Sequence, residues 1–237
     1  MSTTLKLSII IPFHHEEDFI APTLIALNEN LTTVNHEIIA VYDDHNDSSL
    51  PSLFNLQKDL PSLRLIQNTF DNGANGAIHT GITHAAGEYV LFFVADDTLA
   101  PFMLPQLINH LNRGYDAINT SRYIPRGENS GSTRVARLLS WFGNKTFKWL
   151  VCPSISDVTC GIKLFRRDFI LSYSNDLSKG WLLPMTLLLR AYQQRLTVIE
   201  VPLRSLNRKH TKRSHVKFLK RLPPYLHLCW QAITKTL

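Results

Sequence analysis

The stretch from Tyr89 to Pro101, Y-V-L-F-F-V-A-D-D-T-L-A-P, limits what this chain can fold into more than any other. Tyr89 to Val94 is an unbroken run of aromatic and aliphatic residues with no polar alternation. It predicts a strand buried on both faces in the middle of a parallel sheet. Asp96 and Asp97 fall just past its carboxyl end, where the loops leaving an open α/β sheet form the crevice that binds ligands. Adjacent carboxylates repel unless a cation joins them, and hard oxygen donors suit magnesium or manganese bridging a diphosphate. The same pair would equally suit the cap of a helix starting near Pro101. Taken alone, the pair leaves both readings open.

The flanking segments repeat the pattern. Leu7 to Ile11 predicts a strand closed by Pro12, followed by Phe13-His14-His15-Glu16-Glu17 and a helix over Asp18 to Leu31 with acids in its first turn. Glu37 to Tyr42 predicts a second strand that ends in Asp43, Asp44 and Asp47. Such a β-α-β unit implies a right-handed parallel crossover. Neighbouring strands are thereby expected to aim Asp43 and Asp96 into one cleft, while Asp47 is assigned to capping the next helix. A helix over Ser49 to Leu60 and a strand over Leu63 to Gln67 lead to Asn72-Gly73-Ala74-Asn75-Gly76-Ala77, which opens a helix over Ala77 to Ala86. Glycine there allows close backbone approach to a ligand, and the helix start offers N–H groups to an anion. The spacing is not G-x-G-x-x-G, which argues against a dinucleotide oxidoreductase.

Beyond the acidic pair, Phe102 to Leu111 predicts a helix and Tyr115 to Thr120 a strand with Ser121-Arg122-Tyr123 as its exit. Residues Glu128 to Ser132 are polar and glycine-containing, so a mobile loop is expected. Across 134–150, Val135, Leu138, Leu139, Phe142, Thr146, Trp149 and Leu150 recur at helical spacing beside Arg134, Arg137, Lys145 and Lys148. That stripe fits either a helix lying at a membrane interface or one packed on the sheet. Asp157 to Gly161 is a turn before a strand over Ile162 to Phe165, Leu182 to Tyr192 a helix, and Thr197 to Val201 a last strand closed by Pro202. Short amphipathic helices are expected over Lys217 to Arg221 and Leu226 to Ile233.

Length suits one α/β domain, taken as residues 1–203, with a basic extension over 204–237. Nine of the 25 basic residues follow Glu200 with no acid among them, so the other sixteen face nineteen acids and the body is slightly acidic. The extension could hold an anionic lipid or a phosphorylated ligand. It lacks the interleaved aromatics of a strand-binding surface, so nucleic acid is not expected as a partner. Three cysteines without C-x-x-C spacing argue against a disulfide framework or zinc and agree with a reducing compartment. No apolar stretch reaches about 18 residues, so a cytoplasmic protein, peripheral on a membrane face, is expected. Nothing in the sequence sets an oligomeric state.

In order, Ile10 to Glu17, Val41 to Asp47, Asn72-Gly73 with Gly81 and Ala86-Gly87, Ala95-Asp96-Asp97 with Pro101, Ser121-Arg122-Tyr123, Asp157 to Gly161, Ser178 to Trp181, and Glu200-Val201-Pro202 before a basic segment with Ser214 form one pattern. It resembles the inverting glycosyltransferases of the GT-A fold, and within them the polyprenyl-phosphate sugar transferases of the dolichol-phosphate mannosyltransferase type. The resemblance runs from about Leu7 to Lys217. It implies a mostly parallel, Rossmann-like sheet flanked by helices, a GDP- or UDP-sugar donor, a lipid-linked phosphate acceptor, and Mg2+ or Mn2+ as cofactor.

By position, the resemblance places Pro12, Phe13, Glu16, Asp43, Asp44, Asn72 and Gly73 around the nucleotide. Asp96 matches the second aspartate of the family's D-x-D and is assigned to the cation. Val94 stands where the first aspartate would be, which leaves Asp97 as the second candidate ligand. Arg122, Arg134 and the cluster of Arg208, Lys209, Lys212, Arg213 and Ser214 would grip phosphates of donor or acceptor. A phosphate acceptor is already an anion and needs no general base, whereas a saccharide hydroxyl needs one, and Asp157 is then the candidate. His15 and Thr186 replace the asparagine and glutamate usual in relatives. A non-catalytic sugar-nucleotide-binding module is the alternative that Val94 suggests.

Overall fold

The computed structural model describes residues 6–130, 134–173, 182–206 and 227–234. Its first half alternates strands and helices: β1 (Leu7–Pro12), α1 (Ile20–Glu29), β2 (His36–Tyr42), α2 (Leu50–Asp59), β3 (Leu63–Gln67), α3 (Ala74–His84) and β4 (Tyr89–Phe92). β1 pairs in parallel with both β2 and β4, and β2 with β3. A 3-10 turn (Ala100–Met103) and α4 (Leu104–Asn112) then lead to β5 (Ala117–Ser121), β6 (Glu128–Ser130), α5 (Arg134–Leu150), β7 (Lys163–Arg166), α6 (Arg167–Leu171), α7 (Leu183–Gln193), β8 (Val198–Pro202) and β9 (Arg204–Leu206). The main sheet runs β3-β2-β1-β4-β7-β5-β8, with β7 antiparallel to both of its neighbours. The mostly parallel α/β sheet read from the sequence is the observed one. One detail changes: β1 lies between β2 and β4, so Asp43 and Asp96 leave strands that flank a common neighbour instead of pairing with each other.

The unpatterned apolar strands are explained by burial on two faces. Leu7, Ile9 and Ile11 of β1 join Tyr89 and Leu91 of β4 in the core under α1 and α4, while Ile10, Val90 and Phe92 point into the core under α3 and α7. Each such side chain removed from water is worth about 1.5–3 kcal/mol, so polar alternation has no place in either strand. α3 lies so close to β1 that a Cβ on Gly81 would sit 2.4 Å from Ile10 Cγ2.

Two local expectations are corrected, and a third point that the sequence left open is narrowed. Glu128–Ser130 is no loose loop, because it pairs in parallel with Arg204–Leu206 to form a two-stranded ribbon outside the main sheet. α1 starts only at Ile20 and has no acid in its first turn, so Glu16, Glu17 and Asp18 belong to the preceding loop. α5 does not bury its apolar stripe against the sheet. Of its described side chains Asn144 and Phe147 are buried, whereas Leu138, Phe142 and Trp149 are exposed by 65, 65 and 82%. A helix over 227–234 buries Leu228 and Ala232 beside α7 and exposes Trp230 and Ile233. No helix of the described residues is long and apolar enough to cross a membrane.

Candidate functional site

The carboxyl ends of β1, β2 and β4 open into a cleft of about 940 Å3, within the range of ligand pockets. Its wall contains all seven residues assigned from the sequence to a nucleotide: Pro12, Phe13, Glu16, Asp43, Asp44, Asn72 and Gly73. Asp96 lines the same space, so the cleft brings acids from β2 and β4 together. Asp97, Arg122, Asp157 and Arg134 are not in that wall.

Asp43 is held by uncharged donors. Its Oδ1 accepts from Asn68 Nδ2 at 2.7 Å and its Oδ2 from the Gly73 N–H at 2.8 Å. Gly73 is the residue before α3 and has φ +101°, a conformation in which any side chain is strained. The aspartate at the end of β2 thus fixes the glycine turn that starts α3. A second lattice joins the exits of β1 and β2: Asp47, almost fully buried, accepts the N–H groups of Ser49 and His15, and Ser49 Oγ accepts that of Glu16. Burial would raise the Asp47 carboxyl, but these backbone bonds outweigh it and lower it. Capping describes Asp47, with the added effect that Glu16 is set in the cleft wall.

The two central aspartates separate. Asp97 is 4% exposed; its Oδ1 accepts the N–H groups of Leu99 and Ala100 at 3.1 and 3.0 Å, and its Oδ2 accepts from Ser205 Oγ at 2.6 Å. The capping reading therefore describes Asp97, and its assignment as a cation ligand and catalytic group is corrected. Asp96 stays partly exposed in the cleft, near Val94. Among the described residues no group of three or more His, Cys, Asp or Glu side chains could hold an ion. A cation bound chiefly through diphosphate oxygens and water needs only one or two carboxylates, so Asp96 suits Mg2+ or Mn2+ in company with a nucleotide.

The opposite wall is built differently. Val158, Thr159, Cys160 and Gly161 face the cleft with Leu182, Pro184 and Met185 from the start of α7. Behind them Asp157 is fully buried and bound twice by Arg122, at 2.7 Å from Nε to Oδ2 and 2.9 Å from Nη2 to Oδ1. Its Oδ1 also accepts from Thr159 Oγ1, the Cys160 N–H and Asn144 Nδ2. Burial would raise the carboxyl, but hydrogen bonds and charge from Arg122 outweigh that and hold it below the ordinary range. Arg122 loses by burial and gains more from Asp157, so its pKa rises. A sealed carboxylate with a lowered pKa cannot collect a proton from a substrate, which corrects the assignment of Asp157 as general base. Arg122 and Asp157 instead shape the wall from behind.

Lys163, on β7, completes this block. It is fully buried, donates to Asn119 Oδ1 at 2.7 Å and to the Cys160 carbonyl, and burial pushes its ammonium below the usual lysine range. Glu200 accepts from Asn119 and from the backbone of Ser156 and Asp157. None of these partners has a local sequence signal. Arg134 lies exposed in the first turn of α5, away from the cleft wall, and Arg208, Lys209, Lys212, Arg213 and Ser214 fall outside the described residues, as do Lys217 to Arg221. The sequence reading missed the α7 wall, because an apolar helix start reads as plain core, and it missed Ser205.

A profile described as "Glycosyl transferase family 2" matches residues 8–173. Dolichol-phosphate mannosyltransferase of Pyrococcus furiosus is 28% identical over 124 residues, 52% of this chain and 35% of that protein. Undecaprenyl-phosphate 4-deoxy-4-formamido-L-arabinose transferase of Edwardsiella ictaluri is 25% identical over 232 residues, 96% of this chain and 66% of that one. The chain thus spans from about a third to two thirds of the length of these relatives. The crystal structure of glucosyl-3-phosphoglycerate synthase from Mycobacterium tuberculosis with Mn2+, UDP and phosphoglyceric acid superposes with a TM-score of 0.68 at 14% identity, covering 94% of this chain and 78% of that one. At that identity the likeness speaks for the fold.

Proposed function

The chain belongs to glycosyl transferase family 2, and from that premise we propose that it moves a sugar, with inversion, from a UDP- or GDP-sugar to a lipid-linked phosphate at the cytoplasmic face of a membrane. The observation that carries the acceptor class is the distribution of carboxylates. Glu16, Asp43, Asp44 and Asp96 all stand on the β1–β2–β4 side of the cleft, and among the described residues the wall from Val158 to Gly161 and from α7 has none. A hydroxyl acceptor needs a base within hydrogen-bond reach, whereas a phosphate oxygen attacks as the anion it already is. The Pyrococcus and Edwardsiella relatives, each named for a polyprenyl phosphate, support the same class.

In this reading Phe13 walls the base, while Glu16 or Asp43 accepts its N–H groups. The start of α3 presents backbone N–H groups toward phosphate. Asp96 would hold Mg2+ or Mn2+, which supplies charge neutralisation for the leaving diphosphate. The remaining work of the chain is to orient donor and acceptor in line. α5 lies on the membrane with Leu138, Phe142 and Trp149 inward and its lysines and arginines at headgroup level, and the basic extension over 204–237 adds attraction to the catalytic domain over 1–203.

The test is sugar transfer from UDP- and GDP-sugars to polyprenyl phosphate in anionic vesicles, with Mn2+, by wild type and Asp96→Asn. Transfer by wild type that drops at least about a hundredfold in the variant supports the proposal; transfer only to free saccharides contradicts the acceptor. Val94 in the cleft wall favours a second reading, a module that binds the sugar nucleotide without transferring it. Nucleotide-sugar binding with no turnover on either acceptor class would select it.

A further inference from the structure

Asp97 is placed to connect two parts of the molecule. One end of its carboxylate takes the amides of Leu99 and Ala100 and so fixes the turn that follows Asp96; the other takes the hydroxyl of Ser205, a residue 108 positions away. Ser205 belongs to β9, the strand from which the basic extension leaves. β9 pairs with β6, and the exit of β5 is bound in as well, since the Leu203 N–H donates to the Ser121 carbonyl and the Glu128 N–H to the Leu203 carbonyl, both at 2.8 Å. The exits of β4, β5 and β8 therefore share one chain of hydrogen bonds, and the Ser205–Asp97 bond is its link to the cation side.

An open space lies beside that link. A cavity of about 840 Å3 separates Leu99, Phe102 and Met103 on the 3-10 turn from Arg126, Glu128 and Arg204 on the ribbon side. Buried apolar contact joins turn and ribbon elsewhere, since Ala100, Met103 and Leu203 share one core cluster, and the Ser205–Asp97 bond adds a directed contact to it.

Resting on the reading of Asp96 as the cation ligand, we propose that Ser205 is a positioning residue for it: through Asp97 its hydroxyl holds the Asp96 turn in register with the root of the basic extension.

The experiment measures free Mn2+ by its paramagnetic resonance signal during titration of the full-length chain with UDP or GDP present, for wild type, Ser205→Ala and Ser205→Thr. The expected result is Mn2+ affinity about tenfold weaker in Ser205→Ala and within about twofold of wild type in Ser205→Thr. Should Ser205→Ala fail to fold, Ser205→Cys, a poorer donor of similar bulk, takes its place with the same expectation. Equal Mn2+ affinity in wild type and the folded variant overturns the role of Ser205 while leaving the transferase reading intact. Absence of Mn2+ binding by wild type removes the reading of Asp96 and this proposal with it.

Discussion

On the β1–β2–β4 side of the sheet, Asp43 and Asp96 leave their strands into an open cleft, and the partners of Asp43 are an amide side chain and a backbone N–H. On the β5–β7–β8 side, Asp157 and Glu200 are tied into a block that contains the chain's own cations, Arg122 and Lys163. Both sets lie near the same edge of one sheet. The difference lies in what reaches the carboxylate: neutral donors hold Asp43 at the cleft wall, whereas a guanidinium from the chain seals Asp157 behind it. The sealed block also anchors the membrane-facing helix of the proposal, because Asn144 of α5 donates to Asp157 and Tyr123 to Ser140.

The comparison breaks most visibly if the sealed block is opened. Asp157→Asn leaves the Arg122 guanidinium, 17% exposed, without its counter-charge, and urea unfolding should register a loss of about 3–5 kcal/mol. A loss below about 1 kcal/mol would mean that the block is not what holds this wall. Asp43→Ala should behave in the opposite way. Calorimetry should show nucleotide binding weaker by about tenfold to a hundredfold, while stability falls by only about 1–2 kcal/mol from the two neutral hydrogen bonds. Equal damage to stability in both variants would erase the distinction.

Smaller effects sharpen it. Trp149→Ala on α5 should weaken sedimentation with anionic vesicles by roughly three- to tenfold, as expected for withdrawing one large apolar side chain, and leave nucleotide affinity unchanged. Unaltered vesicle binding would detach the helix from the membrane. The smallest effect is in pH. Because the folded pKa of Asp157 lies below its ordinary value of 3.8, its contribution is fully present above about pH 4 and is lost as pH falls through the folded value. The acid limb of a stability–pH curve should therefore be shallower in Asp157→Asn than in wild type.

Much of the β1–β2–β4 side was legible in the sequence because its signals are local. β1 ends in Pro12, β2 runs directly into Asp43, the apolar run of β4 continues past the strand to Ala95 before Asp96, and a glycine follows Asn72 where α3 begins. The other side depends on distant partners. Arg122 meets Asp157 across 35 residues, Asn119 meets Glu200 across 81, and Ser205 meets Asp97 across 108, so no spacing rule distinguishes a sealed aspartate from an open one. The β6–β9 ribbon is three residues long on each side, too short to show a two-residue period. The stripe on α5 has the same spacing whether it faces a core or a bilayer, and only its exposure separates the two.

The central claim, that Asp43 and Asp96 share a cleft completed by a cation and a nucleotide diphosphate, is tested most directly by calorimetric titration of UDP and GDP into the full chain with and without Mn2+. One nucleotide should bind wild type with Mn2+ present, at least about tenfold tighter than without it, and Asp96→Asn should lose that metal dependence while keeping its fold. Equal binding with and without Mn2+, or an Asp96→Asn protein that still responds to the metal, would contradict the account.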